Sequence, residues 1–417
     1  MNLAEELQWR GFANQTTYKS LDIINGEPIT FYWGVDPSAA SMTIGNLAAA
    51  MMVRHFINHG HNAVLLIGGA TGMIGDPDGK VEERNLLSVE QIQDNKHAIV
   101  EQYKKIFDNQ QFEIVDNYDW FQDMGYLGFL RDIGKHVPMR QMMGRDFVQK
   151  RLTENGAGIS YAEFSYVLIQ AYDFLHLNRE KGVTLQVCGS DQWGNSIAGV
   201  DLVRRITGNE THVWSAPLII DKTTGKKFGK SESGAIWLEA SLTSIYKFYQ
   251  FWLNIDDESV IDYLKIFTLL DKDEIDELSN AFDGERGARL PHKKLAYEVT
   301  KLVHGTDQAA KQKNIADALF GSKPVLELTE AELAAISEEL PTIMATVGDL
   351  LASILVSGQL AVSTTEARRF IEAGAIYVNN KQLQNSASDI CIDQSWENLG
   401  YILVRRGKNT QMLVKIS

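Results

Sequence analysis

The chain's 417 residues leave room for two or three domains around sizeable cores. Its 44% hydrophobic and 23% charged residues are the balance of a globular protein, two cysteines (Cys188 and Cys391) exclude a disulfide framework, and no apolar run reaches membrane-spanning length. The net charge of -14 argues against nucleic-acid binding by the whole surface, but residues 351–417 carry seven Lys/Arg against five Asp/Glu, which is +2 and leaves -16 for the rest. The start, MNLAEELQWRG, has no apolar signal core, so a cytoplasmic location is expected.

In chain order, EPITFYWGVDP (27–37) reads as a strand ending in a turn, and TIGNLAAAMMVRHFINHG (43–60) as a helix with apolar residues three and four apart. HNAVLLIGGATG (61–72) is a buried strand followed by a glycine-rich loop. SVEQIQDNKHAIVEQYKKIF (88–107) is a helix with a capping box, Ser88 and Gln91. QQFEIVDNYDWF (110–121) begins as a strand, YVLIQAYD (166–173) is helical, and VTLQVCGSDQWGN (183–195) and VWSAPLIIDKTTG (213–225) are strands running into loops. Strand–helix alternation predicts an α/β domain with a mainly parallel sheet over 1–240, binding ligands at the carboxyl ends of its strands. Residues 241–320 turn helical, 321–349 form an acidic connector with two prolines and a short helix, and 350–417 restart as a small α/β domain.

Five segments carry candidate chemistry. In YWGVDPSAASMTIGNLA (32–48) a strand leads through small residues into a helix whose N-terminus offers free N–H groups to an anion; alone, it is also an ordinary βα connection. GGATGMIGDPDGK (68–80) fails the P-loop pattern at Ile74 and Val81, so its glycines are expected to let backbone approach a ligand. Tyr166, Gln170 and Asp173 lie at i, i+4 and i+7, a polar stripe among apolar neighbours that suits a pocket lining better than a solvated face. QVCGSDQWGN (186–195) puts polar groups at a strand end. KKFGKSESG (226–234) is a flexible basic loop able to close on a polyphosphate. His55 and His59, with His61 nearby, have metal-pair spacing but no supporting Glu or Cys, and are expected at the surface end of their helix.

Together these segments resemble the class I aminoacyl-tRNA synthetases. TIGN (43–46) stands where that family has its HIGH motif, and KFGKS (227–231) where it has KMSKS. The flanking blocks YWGVDPSA, GGATGMIGDPDGK, EFSYVLIQAYDFL, GSDQWGN and KFGKSESGAIWL are similar to the bacterial-type tyrosyl enzymes, and SGQLAVSTTEARRFIEAGAIYVNNKQL resembles an S4-type RNA-binding module. The likeness runs in order through nearly the whole chain.

It implies a Rossmann-like catalytic domain, a helical domain and an S4-like domain, and an enzyme that activates L-tyrosine with ATP, accompanied by Mg²⁺, and loads tRNA(Tyr) as a homodimer. By the same resemblance Tyr32 and Asp173 would hold the substrate phenol, Asp76, Tyr166 and Gln170 its ammonium, and Asp36, Gln186 and Gln192 would line the remainder. Gly34, Ser38, Thr43, Gly45, Asn46, Gly189, Asp191 and Lys230 would meet ATP, and Lys80, Arg84, Lys227, Lys230 and Ser231 would act on phosphates. Two polar groups on a buried phenol hydroxyl penalise phenylalanine, a discrimination for which enzymes of this family are the standard example.

The sequence departs from the family at the HIGH histidines, replaced by Thr43 and Asn46, and places Trp33 beside the expected ribose site. Asn46 keeps an N–H donor, whereas Thr43 is shorter and uncharged. The competing readings are the related tryptophanyl enzyme, a non-catalytic RNA-binding relative, and a nucleotidyltransferase of the same fold. Residues 117–147, rich in aromatics, Leu and Met, are the candidate subunit contact or else a buried part of their own domain.

Overall fold

The computed structural model describes residues 1–77, 86–144, 146–153, 158–220, 222, 225, 228–231, 234–320, 324–383, 389–407 and 410–417, with the backbone alone at 141, 146, 147, 150, 230, 231 and 326. Backbone contacts divide the chain into two units, residues 1–243 with 255–295, and residues 244–254 with 296–417.

The first unit is built on six strands: β1 (Gln15–Thr16), β2 (Thr30–Val35), β3 (Asn62–Ile67), β4 (Phe112–Asp116), β5 (Leu185–Gly189) and β6 (His212–Ala216), ordered β1-β6-β5-β2-β3-β4. All pairs are parallel except β1 with β6. In β2, Tyr32 alternates with Phe31 and Trp33, as the two-residue strand period requires. Tyr32 joins Val64, Leu66, Ala171, Phe174 and Leu202 in one core cluster, while Trp33 packs near Tyr103 and Phe107. The helix Tyr161–Lys181 is bounded by the Ser160 cap and by Gly182, whose φ of 66 ends it in the left-handed conformation. The chain builds outward from β2 through β3 to β4, then returns to β5 on the other side of β2. That reversal opens a crevice at the carboxyl ends of β2 and β5, where ligands of such sheets bind.

A short antiparallel pair follows, β7 (Lys230–Ser231) with β8 (Gly234–Ala235). The second unit carries a five-stranded sheet, β11-β10-β12-β13-β9, from β9 (Thr342–Ala345), β10 (Ile376–Val378), β11 (Lys381–Gln382), β12 (Tyr401–Arg406) and β13 (Thr410–Ile416). Both faces are covered. Ile402, Val404, Met412 and Val414 share a core with the helices Leu351–Ser357 and Thr364–Glu372, and Leu403 and Leu413 share another with Ile315, Leu319, Leu333 and Ile336.

Three expectations change here. The connector contributes strand β9, which pairs parallel with β13, so its residues 342–345 belong to the C-terminal sheet. The helical stretch is split between the two contact units instead of forming one body. The glycine-rich loop after β3 holds a short helix, Gly69–Ile74.

Candidate functional site

Asp36, Thr71, Asp76, Asn117 and Gln192 follow the carboxyl ends of β2, β3, β4 and β5, and Asp36 and Asn117 bond to side chains of the helix Tyr161–Lys181. Tyr166 Oη donates to Asp36 Oδ2 at 2.7 Å and Thr71 Oγ1 to Asp36 Oδ1 at 2.6 Å. Asn117 Nδ2 donates to Thr71 Oγ1 and to Asp173 Oδ2, both at 3.1 Å, and Trp120 Nε1 donates to Asp173 Oδ1 at 3.0 Å. Gln192 Nε2 donates to Asp76 Oδ2 at 2.6 Å and in turn accepts from Asn195 at 3.0 Å.

Three buried polar atoms at this crevice have no hydrogen-bond partner among the described residues: Tyr32 Oη, Gln170 Oε1 and Gln186 Oε1. Tyr32 and Gln186 are register partners across β2 and β5, and the Tyr32 ring sits edge-on to Phe174 at 5.2 Å. Buried polar groups are nearly always paired, so an unpaired set at one crevice marks a place shaped for a polar ligand. Burial and the nearby Asp173 raise the Tyr32 phenol well above its ordinary range. Burial likewise raises Asp173 well above the usual carboxylate range, against the donors from Asn117 and Trp120 and with help from Asp36 and Asp116. Tyr166 is raised by burial and by Asp36 and Asp76. An acidic, largely desolvated crevice with open acceptors suits a ligand bearing a hydroxyl and a positive charge.

The glycines after β3 have a packing role that the sequence did not suggest. A Cβ on Gly68 would lie 2.1 Å from Asp36 Oδ1, and one on Gly69 would lie 2.3 Å from Asp116 Oδ1. They let the turn pass the carboxylates that the turn itself helps to hold.

Residues 228–231 and the TIGN segment are brought together by backbone. Ile44 N–H donates to Ile236 C=O at 3.1 Å, Leu238 N–H to Met42 C=O at 2.9 Å, and Ile236 N–H to Gly229 C=O at 3.0 Å. Gly229 has a φ of +85, and a Cβ there would lie 2.5 Å from Ile44 Cγ1, so only glycine fits. At the start of the helix Ile44–Asn58, Asn46 Oδ1 accepts from both the N–H and the Oγ1 of Thr43 at 2.9 Å. The two residues that replace the HIGH histidines thus bond to each other. Gly34, Ser38 and Gly45 are exposed at this end, and Gly189 and Asp191 are half-buried at the end of β5. Lys80, Arg84 and Lys227 lie outside the described residues, as do the side chains of Lys230 and Ser231.

Sequence reading missed Asn117, Trp120 and Thr71, which hold Asp173 and Asp36. Their signal was only a strand end, QFEIVDNYDW, at the carboxyl edge of the sheet. Trp33, expected beside the ribose, is 4% exposed and packs near Tyr103 at 5.5 Å between ring centres. The histidine expectation is also corrected: His55 and His61 are buried, and His55 Nδ1 meets Glu6 Oε1 at 3.1 Å while His59 Nε2 meets Glu6 Oε2 at 2.7 Å. Among the described residues no group of three His, Cys, Asp or Glu side chains could hold a metal.

A family model described as tRNA synthetases class I (W and Y) matches residues 25–321, and one for the tyrosine--tRNA ligase SYY-like C-terminal domain matches residues 332–414. The chain is 42% identical over 422 residues to a tyrosine--tRNA ligase of Geobacillus kaustophilus, covering 100% of both. It is 43% identical to one of Staphylococcus haemolyticus, covering 99% of this chain and 98% of that one. Among solved structures it resembles a C-terminally truncated mitochondrial tyrosyl-tRNA synthetase of Aspergillus nidulans, with TM-score 0.67 and 29% identity over 75% of this chain and 92% of that one. The chain therefore belongs to the class I tRNA synthetases of the W and Y group, within the tyrosine--tRNA ligase family.

Proposed function

We propose that this protein activates L-tyrosine with ATP and transfers it to tRNA(Tyr). The observation that carries the substrate assignment is the buried Tyr32 Oη, unpartnered among the described residues, in a chain of this family, with Asp173 held nearby by Asn117 and Trp120. A phenol hydroxyl entering there meets a hydroxyl and a carboxylate; phenylalanine leaves both unpaired, and an indole presents a different edge. Asp76, Tyr166 and Gln170 take the ammonium, and Gln170 Oε1 is an open acceptor for it. Asp36, fixed by Tyr166 and Thr71, together with Gln186 and Gln192, bounds the pocket towards the carboxylate.

A carboxylate oxygen of tyrosine attacks the α-phosphorus of ATP, the bond to pyrophosphate breaks, and tyrosyl-adenylate forms. The terminal ribose hydroxyl of tRNA then attacks the acyl carbon and AMP leaves. Neither step needs a covalent enzyme nucleophile; positioning and charge stabilisation lower the barriers. Gly34, Ser38, Thr43, Gly45, Asn46, Gly189 and Asp191 form the nucleotide side, and Lys80, Arg84, Lys227, Lys230 and Ser231 act on the phosphates. Magnesium arrives on the ATP phosphates as part of that substrate. The C-terminal unit, with its S4-like sequence, takes tRNA. The enzyme works as a cytoplasmic homodimer through residues 117–147, where Tyr126 and Leu127 are exposed.

Tyrosine-dependent exchange of labelled pyrophosphate into ATP tests the activation step. Exchange with tyrosine, and none with phenylalanine or tryptophan, is expected. A folded protein that binds tyrosine yet gives no exchange would instead be a relative that kept the pocket and lost the chemistry.

A further inference from the structure

The helix Val89–Ile106 contributes none of the residues assigned above, yet two of its buried amides reach into the loop that precedes the TIGN helix. Asn95 Nδ2 donates to Pro37 C=O at 2.9 Å. Seven residues on, two turns along the same face, Gln102 Oε1 accepts from Met42 N–H at 2.8 Å and Gln102 Nε2 donates to Ser41 Oγ at 2.9 Å. Asn95 and Gln102 are 8% and 4% exposed, so these bonds are shielded from competing water.

Ser41 is the junction. Its hydroxyl donates to Met42 C=O at 2.7 Å and accepts from Gln102 Nε2 and from Glu239 N–H, the latter at 3.1 Å. One donor and two acceptor positions exhaust what a hydroxyl can do. Met42 C=O also accepts from Leu238 N–H at 2.9 Å. The loop 37–42 is thus tied on one side to the helix Val89–Ile106, and on the other to the strand-like segment 236–239, which itself bonds back to Gly229.

We infer that Gln102, acting through Ser41, is a positioning residue for adenylate formation that fixes the TIGN helix start and the KFGKS-bearing segment in one mutual geometry. This rests on the proposed tyrosine activation. The tyrosine pocket on Tyr32 and Asp173 is held by separate bonds, so loss of Gln102 acts on the nucleotide end and spares tyrosine binding. A displacement on the order of 1 Å of groups that meet ATP costs up to about a hundredfold in rate.

The test compares wild type, Gln102→Met, Ser41→Ala and the double variant. Tyrosine affinity is read by equilibrium titration, and kcat and ATP KM by pyrophosphate exchange normalised to folded protein. Gln102→Met is expected to lower kcat by about tenfold to a hundredfold, with tyrosine affinity within about twofold. Ser41→Ala is expected to fall similarly, and the double variant no further than the worse single, because one network is broken only once. Wild-type kcat in folded Gln102→Met, or fully multiplicative losses in the double variant, overturns the inference. Should Gln102→Met fail to fold, Ser41→Ala decides alone: wild-type kcat overturns the inference, and a selective kcat loss supports it. Wild type without tyrosine-dependent exchange removes the parent reading, and this one with it, before any variant is compared.

Discussion

Two carboxylates in the first unit, half-buried Glu6 and fully buried Asp173, are treated in opposite ways. Glu6, on the helix Leu3–Arg10, accepts from Arg10 Nε at 2.8 Å and from His55 and His59. Burial alone would raise it, but those donors pull it well below the usual carboxylate range. Burial lowers His55 below an ordinary imidazole, so at neutral pH its contact with Glu6 is a hydrogen bond from a neutral ring and Arg10 supplies the charge. Arg10 passes the connection to the carbonyls of Lys265, Thr268 and Leu270. Among the described residues Asp173 meets no cation and two neutral donors, and burial raises it. The first cluster joins elements of the fold. The second leaves a carboxylate under-compensated beside a tyrosine hydroxyl that has no partner among the described residues. Charge is neutralised where stability is needed and held in reserve where a ligand must complete the site.

The largest effect expected from breaking this contrast is at Asp173. Asp173→Asn should lower kcat/KM for tyrosine in pyrophosphate exchange by about tenfold to a hundredfold and narrow the preference over phenylalanine, as loss of a bond to a charged group predicts. The same variant should melt at or above the wild-type temperature at pH 7.5. The sign follows from linkage. A carboxyl raised on folding contributes stability that is present below its unfolded value near 3.8 and lost as pH rises through its folded value. Removing the charge flattens that loss, so a melting-temperature series from pH 5 to 8 separates the variant from wild type on the alkaline side.

Gly229→Ala comes next. Its Cβ would collide with Ile44 on a backbone that already favours glycine, pushing the KFGKS segment off the TIGN helix. A kcat loss of roughly tenfold is expected with tyrosine affinity unchanged, measured by exchange alongside titration. Glu6→Gln should spare tyrosine affinity and cost about 1–3 kcal/mol of stability. Its stabilising effect has the opposite pH sense: a depressed carboxylate stabilises above its unfolded value near 4.5 and loses that as pH falls below it. That loss runs down to the folded value well below, so urea melts at pH 7 and pH 3 would show the gap between wild type and variant narrowing in acid. The smallest effect belongs to Tyr103→Phe. Tyr103 Oη is buried and unpartnered among the described residues, so its removal should leave exchange unchanged and stability equal or slightly higher.

What could be read in the sequence was what is periodic or contiguous. The run EPITFYWGVDP read as a strand, with Tyr32 singled out by the family resemblance, and helical spacing put Tyr166, Gln170 and Asp173 on one stripe. The TIGN and KFGKS segments are compact enough to stand out. Pairings between distant segments had no local signal. Asn117 reaches Asp173 across 56 positions and Gln102 reaches Ser41 across 61, and either amide would look the same on a solvated surface. Strand β9 escaped for a related reason: TIMA is four residues long, and only its pairing with β13 makes it a strand. The burial of His55 depends on Glu6, 49 residues earlier, which a helical pattern alone does not supply.

The most direct test of the central claim is calorimetric titration of the wild-type protein with L-tyrosine and with L-phenylalanine at equal concentrations. Saturable tyrosine binding with no measurable phenylalanine binding is expected, because only the phenol hydroxyl completes Tyr32 and Asp173. Equal binding of the two amino acids, or none of tyrosine, would contradict it.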